Sequence, residues 1–176
     1  MSSSRKVLFP IALLAMLALS ACGFQPLHGG KGKQSATVPE MAHIKILTIA
    51  DRSGQLVRNA LLDRLTPTGQ PEKPVYTLTV KLSESKQSLG ILKDETASRA
   101  NYTLNAGFAL ANKDGATLYS SSTSSQASYN ILTEHYASTA SEKNARDRTA
   151  EEVADAIAMQ LAAYFSRSRV AKEQAK

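Results

Sequence analysis

Between Tyr76 and Ser83 the chain alternates without a break. Tyr76, Leu78, Val80 and Leu82 fall on one side of an extended backbone, and Thr77, Thr79, Lys81 and Ser83 on the other. A period of two describes a strand with one buried and one wet face, which rules out an all-helical body. A second run repeats the pattern in Ala100, Tyr102, Leu104, Ala106, Phe108 and Leu110. Two strands with a shared apolar face need a cover, and two segments of helical period can supply it. Leu56, Val57, Ala60, Leu61 and Leu65 make one stripe, opposite Gln55, Arg58, Asn59, Asp63 and Arg64; Ala150, Val153, Ala154, Ile157, Leu161 and Tyr164 make the other, with Glu151, Glu152, Asp155 and Gln160 facing away.

The remaining elements follow from punctuation. Ile44, Ile46 and Ile49, with Leu47 between them, read as a first strand, and Ser53 is a plausible N-cap for the helix that follows. Pro67, Gly69, Pro71 and Pro74 end that helix in a turn. A loop is expected around Gly90, and Asn112-Lys113-Asp114-Gly115 has the composition of a hairpin turn. Leu118 to Tyr129 is a weaker, serine-rich strand, and the last helix is expected from about Ser138 to Arg167. The fold class is therefore α+β: a four-stranded, mostly antiparallel sheet with two helices packed on one face, in the order βαβββα. The other face stays polar, and Thr77, Thr79, Lys81, Thr103 and Asn105, together with Ser121, Thr123 and Ser125 of the last strand, are assigned to it.

The N-terminus adds a second constraint. Arg5 and Lys6 precede an apolar stretch, Val7 to Leu19, that is too short to remain as a spanning helix and has the regions of an export signal. Leu19-Ser20-Ala21-Cys22 at its end resembles the lipobox of bacterial lipoproteins, in which the cysteine receives acyl chains, palmitate among them, and becomes the first mature residue. Several acyl chains hold a protein on a membrane far longer than one does. Gly23 rather than Asp follows, which by the same resemblance is compatible with transfer to the outer membrane. The expected organisation is a signal peptide at 1–21, a lipidated N-terminus and tether rich in Gly and Pro at 22–42, one domain at 43–167, and a disordered polar tail at 168–176.

Composition narrows the chemistry. A net charge of +6 with no basic motif does not indicate nucleic acid. Cys22 is the only cysteine, so the domain has no thiol for a disulfide or a thiolate metal site. His28, His43 and His135 lack ligand spacing, the run Ser120–Ser125 lacks a nucleophile elbow, and Asp94-Glu95 and Glu151-Glu152 are neighbours whose side chains diverge. No phosphate loop, metal or cofactor is expected. A tethered binding or assembly role fits better than catalysis.

Several stretches, in order, resemble the LPS-assembly lipoprotein family LptE in its alphaproteobacterial form. They are Cys22-Gly23-Phe24-Gln25-Pro26-Leu27; Arg52, Gly54, Gln55, Arg58, Asn59 and Leu61 after Asp51; Tyr76-x-Leu78; Arg99, Tyr102 and Leu104; and Ser128-Tyr129-Asn130 with Tyr136-Ala137. The resemblance implies a lipoprotein on the periplasmic face of the outer membrane, anchored in its lipid by Cys22. Such a protein would plug the β-barrel protein LptD, assist its assembly and bind lipopolysaccharide during delivery to the outer leaflet. It also implies basic residues near the sheet's loops as lipopolysaccharide contacts. Lys86, Lys93 and Arg99 are the nearest cations, suited to lipid A or core phosphates or else simply solvated. The alternative is an auxiliary lipoprotein of a lipid-transporting ABC system.

Overall fold

The computed structural model describes residues 39–91, 97–132 and 134–174. After a 3-10 turn, Pro39–His43, come β1 (Ile44–Ile46), α1 (Asp51–Leu65), β2 (Tyr76–Ile91), β3 (Ala97–Asn112), β4 (Thr117–Asn130) and α2 (His135–Gln174). The sheet order is β1-β2-β3-β4. β1 runs parallel to β2, with Ile44 opposite Tyr76, and the two later pairings are antiparallel. The βαβββα order and the mixed, mostly antiparallel sheet agree with the periodicity.

One face of the sheet is the core floor. Leu78 and Val80 of β2 and Tyr102, Leu104, Ala106, Phe108 and Leu110 of β3 are buried there beneath Val57, Leu61 and Leu65 of α1 and Val153, Ala154, Ile157, Leu161 and Phe165 of α2. At one end five rings interlock: Tyr76, Phe165, Tyr164, Tyr119 and Phe108. Phe165 meets Tyr76 edge-on with centroids 5.1 Å apart, and Tyr164 stacks on Tyr119 at 5.0 Å. Arg64 of α1 clamps Asp155 of α2, with Nη2 donating to Oδ2 at 3.0 Å, and so ties the two helices together over the sheet.

Several boundaries differ from the sequence reading, each for a physical reason. β1 stops at Ile46 because the chain leaves the ladder to turn into α1. Ile49 is nevertheless buried, packed against the start of that helix. The domain begins before residue 43, since Met41 inserts into the core. No loop interrupts β2 at Gly90, since Ile91 still pairs with Ala97. Alternation fades in β2 after Leu82 because residues 83–89 are solvent-exposed, while backbone pairing with β3 continues regardless. α2 runs past Arg167 to Gln174, so the segment expected as tail is helical through 174.

The expected hairpin turn is present. Asn112 Oδ1 accepts from the backbone N–H of Asp114 at 3.0 Å and of Ala116 at 2.9 Å, and Gly115 takes φ +80°. β4 is one of the two outer strands of the sheet, the other being the three-residue β1, and Thr117–Asn130 contains no charged residue and no proline. The segment expected as an export signal, Cys22, His28 and Lys93 lie outside the described residues.

Leu61 is fully buried where α1 meets the sheet. Leu61→Ala is expected to lower unfolding free energy in urea by about 2–5 kcal/mol. Met159→Ala, at a position 63% exposed on α2, should change it by less than about 0.5 kcal/mol.

Candidate functional site

Sequence signals converge on the entry to α1. The chain turns at Asp51, whose φ of +69° lies in the left-handed region that Asp tolerates better than most residues. The helix starts there, with Ala50 in the cap position and no side chain capping the first turn. Ser53 is therefore not the N-cap. It lies inside the helix, 1% exposed, and its Oγ shares a hydrogen bond of 3.1 Å with the Tyr102 hydroxyl. A buried phenol needs a partner, and Ser53 supplies it from the facing helix. Burial raises the Tyr102 pKa, so the ring stays neutral.

Gly54 has a different cause. A Cβ there would sit 2.8 Å from the Ile49 carbonyl oxygen and against the Ile49 side chain. The helix can approach the end of β1 only because the side chain is missing.

Charges ring this knot. The Arg146 guanidinium lies 5.6 Å from the centroid of the Tyr102 ring, and its Nη2 donates to Glu142 Oε1 at 2.8 Å. The same oxygen accepts from Lys86 Nζ at 2.5 Å. A cavity of about 490 Å³ opens beside it, lined by Arg52, Ser53, Gly54, Leu82, Glu84 and Arg146 among others. With acids and bases both present, the cavity has no strong sign of charge.

The three candidate cations do not form a cluster. Lys86 pairs across the ladder with Tyr102 and so lies on the helix side, held by Glu142. Arg99 pairs with Leu89 and Asn130 and stands exposed on the opposite face, while Lys93 is not among the described residues.

The family-motif residues divide into two groups. Gly54 and Tyr102 build the fold, and Tyr129 packs partly buried against the core. Arg58 is half-buried, its Nε shielded without a hydrogen-bond partner. Arg52, Gln55 and Asn59 form one exposed stripe at helical spacing, and Asn130 is exposed at the end of β4.

The sheet face away from the helices is polar, as expected for Thr77, Thr79, Lys81, Thr103 and Asn105. Ser121, Thr123 and Ser125 are not part of it. They stand opposite Phe108, Ala106 and Leu104 and thus lie under α2, where the Ser125 hydroxyl bonds to Glu152. Opposed residues of an antiparallel pair share a face, so the phase of β3 fixes that of β4. The open face of β4 is instead Ser120, Ser122, Ser124, Gln126 and Ser128. Among the described residues no group of three or more His, Cys, Asp or Glu side chains is placed to hold a metal, and no helix is long and apolar enough to cross a membrane.

This arrangement of two helices over one face of a mixed four-stranded sheet recurs in bacterial lipoproteins. The structure matches a protein described as a lipoprotein from Caulobacter crescentus CB15 with a TM-score of 0.59 and 26% identity, covering 73% of this chain and 94% of that one. It shares its fold with a minor lipoprotein from Acinetobacter baumannii (TM-score 0.57, 17% identity, 69% and 92% covered). It does so too with rare lipoprotein B from Shewanella oneidensis (0.55, 16%, 71% and 99%). No curated protein matches the chain by sequence. The class is thus that of the small α+β envelope lipoproteins. Within it, residues 41–163 match the family LptE, lipopolysaccharide-assembly, and the chain belongs to that family.

Two measurements probe the site. Gly→Ala in an open helix stabilises by about 1 kcal/mol; Gly54→Ala is expected to reverse that sign and cost about 1–3 kcal/mol in urea unfolding, because backbone must move. The second concerns pH. The hydrogen bond from Lys86 is the main cause holding the Glu142 carboxyl below its ordinary value, opposed by partial burial. A lowered folded pKa gives stability that is present above the unfolded pKa and lost as pH falls through the folded one. Between about pH 5 and pH 3 the wild type should therefore lose more stability than Glu142→Gln. The difference should stay under about 1 kcal/mol, since the pair is partly exposed.

Proposed function

We propose that this chain is a non-catalytic, lipid-anchored plug of the outer-membrane barrel LptD that binds lipopolysaccharide on its way to the outer leaflet. The observation that carries this reading is the open sheet face: a carpet of Ser, Thr, Asn and Gln with Lys45, Lys81 and Arg99 and, among the described side chains, no carboxylate. A barrel lumen is wet and polar, and a body seated in it needs hydroxyls, amides and scattered charges on its outside. Membership of the lipopolysaccharide-assembly family supports the same role.

In this role Cys22 carries the acyl chains and holds the domain at the periplasmic face of the outer membrane. Exported on the signal that precedes Cys22, the protein would meet the barrel there. Arg99, exposed on the β2–β3 arm, offers a bidentate fork to a lipid A or core phosphate. Lys86 can do the same only by leaving Glu142, so it is the weaker candidate. Arg52, Gln55 and Asn59 form an exposed polar stripe that the fold does not use, a second surface for the barrel wall.

Depletion of the protein is expected to lower surface lipopolysaccharide and to leave LptD misassembled, read by surface labelling and by the barrel's heat-modifiable migration. Normal surface lipopolysaccharide and a folded barrel after depletion would refute the reading. Cys22→Ala should shift the mature chain from the outer-membrane fraction toward the soluble periplasmic one when LptD is absent.

A further inference from the structure

Gly107 stands at the middle of β3, between Lys81 on β2 and Ser122 on β4. A glycine inside a strand weakens it through backbone entropy and leaves nothing to pack, so its presence asks for a reason. The usual reasons do not apply. The described positive-φ residues are Asp51, Gly69 and Gly115. The ladder to β4 keeps register through Gly107 and shifts only at Leu110/Ala111. A Cβ at Gly107 would meet nothing within 4 Å, in contrast with Gly54, where it would collide with backbone. Nothing inside the molecule requires the missing side chain.

Gly107 lies in a depression of about 490 Å³ that opens to solvent on this face, with Lys81, Ser83, Asn105, Ser122 and Ser124 around it. These groups offer an ammonium, three hydroxyls and an amide, and the surrounding face adds cations but, among the described side chains, no carboxylate. The chemistry is that of a receptor for one anionic or strongly accepting group. With no aromatic platform in it, the depression suits a protruding side chain better than a sugar ring.

We propose that the Gly107 depression is a keyhole for an acidic side chain on the luminal wall of the barrel partner, fixing the plug's position. This rests on the plug reading above and specifies how that partner docks. Lys81 pairs with the carboxylate, the hydroxyls and Asn105 donate to its remaining lone pairs, and Gly107 keeps the entrance open.

The test uses the full-length tagged chain co-expressed with LptD and purified in detergent. Gly107→Trp fills the depression at a position with room for a side chain, so its unfolding midpoint should be no lower than wild type. Retained LptD should fall at least roughly tenfold. Lys81→Glu, which adds no bulk, should give a similar loss, and Gly107→Ala, which adds only a methyl, should retain most of the barrel. Wild-type retention by both Gly107→Trp and Lys81→Glu overturns the keyhole and leaves the plug reading standing. A wild-type chain that retains no LptD overturns both. A Gly107→Trp chain that keeps LptD but no longer captures purified lipopolysaccharide assigns the depression to a phosphate, and overturns the proposed occupant.

Discussion

The molecule depends on covering one apolar sheet face. Leu78, Val80 and the line from Tyr102 to Leu110 cannot stay in water, and β1 to β4 offer no second sheet to bury them. Two helices of different design share the task. α1 is short and approaches closely, which Gly54 permits against the Ile49 carbonyl. α2 spans forty residues and crosses the sheet on small residues, Ala145, Ala150 and Ala154, before reaching Ile157, Leu161 and Phe165. The Arg64–Asp155 clamp fixes one helix against the other. Once that side is closed, the opposite face is left to water or to a partner.

Much of this was legible because alternation and helical stripes report burial directly. Tyr76 to Leu82, Ala100 to Leu110 and the two stripes predicted the elements, their order and the shared side of the helices. What could not be read was whatever depends on pairing. In β4 both faces carry hydroxyls, so hydropathy holds no phase information, and only the register with β3 puts Ser121, Thr123 and Ser125 on the helix side. β2 continues past Leu82 on backbone bonds that leave no apolar trace in that strand.

The site divided along the same line. Gly54 and Tyr102 could be picked out by motif, but not for the reasons the structure gives them: a close backbone approach, and a phenol bonded to Ser53 across the core. Ser53 looked like a cap because Ser before a helical stripe usually is one; the positive φ at Asp51 moved the helix start and turned that hydroxyl inward. Lys86 and Arg99 looked like neighbours on a loop. On a strand pair they belong to opposite faces, and Lys86 already has Glu142. Gly107 drew no notice in sequence, since only coordinates reveal that the space beside it is empty.

The free edge of β4 has a consequence for the protein's life before assembly. Exposed edges are commonly guarded by a charge, a proline or a bulge that spoils pairing with a stranger. Thr117–Asn130 has no charge and no proline, and its one irregularity lies at the turn end. Copies whose β4 edge meets no partner would thus carry an unguarded ladder of backbone donors and acceptors, ready to recruit one another. Such a chain suits synthesis matched in amount to whatever covers that edge, and any surplus is a natural client for chaperones and proteases.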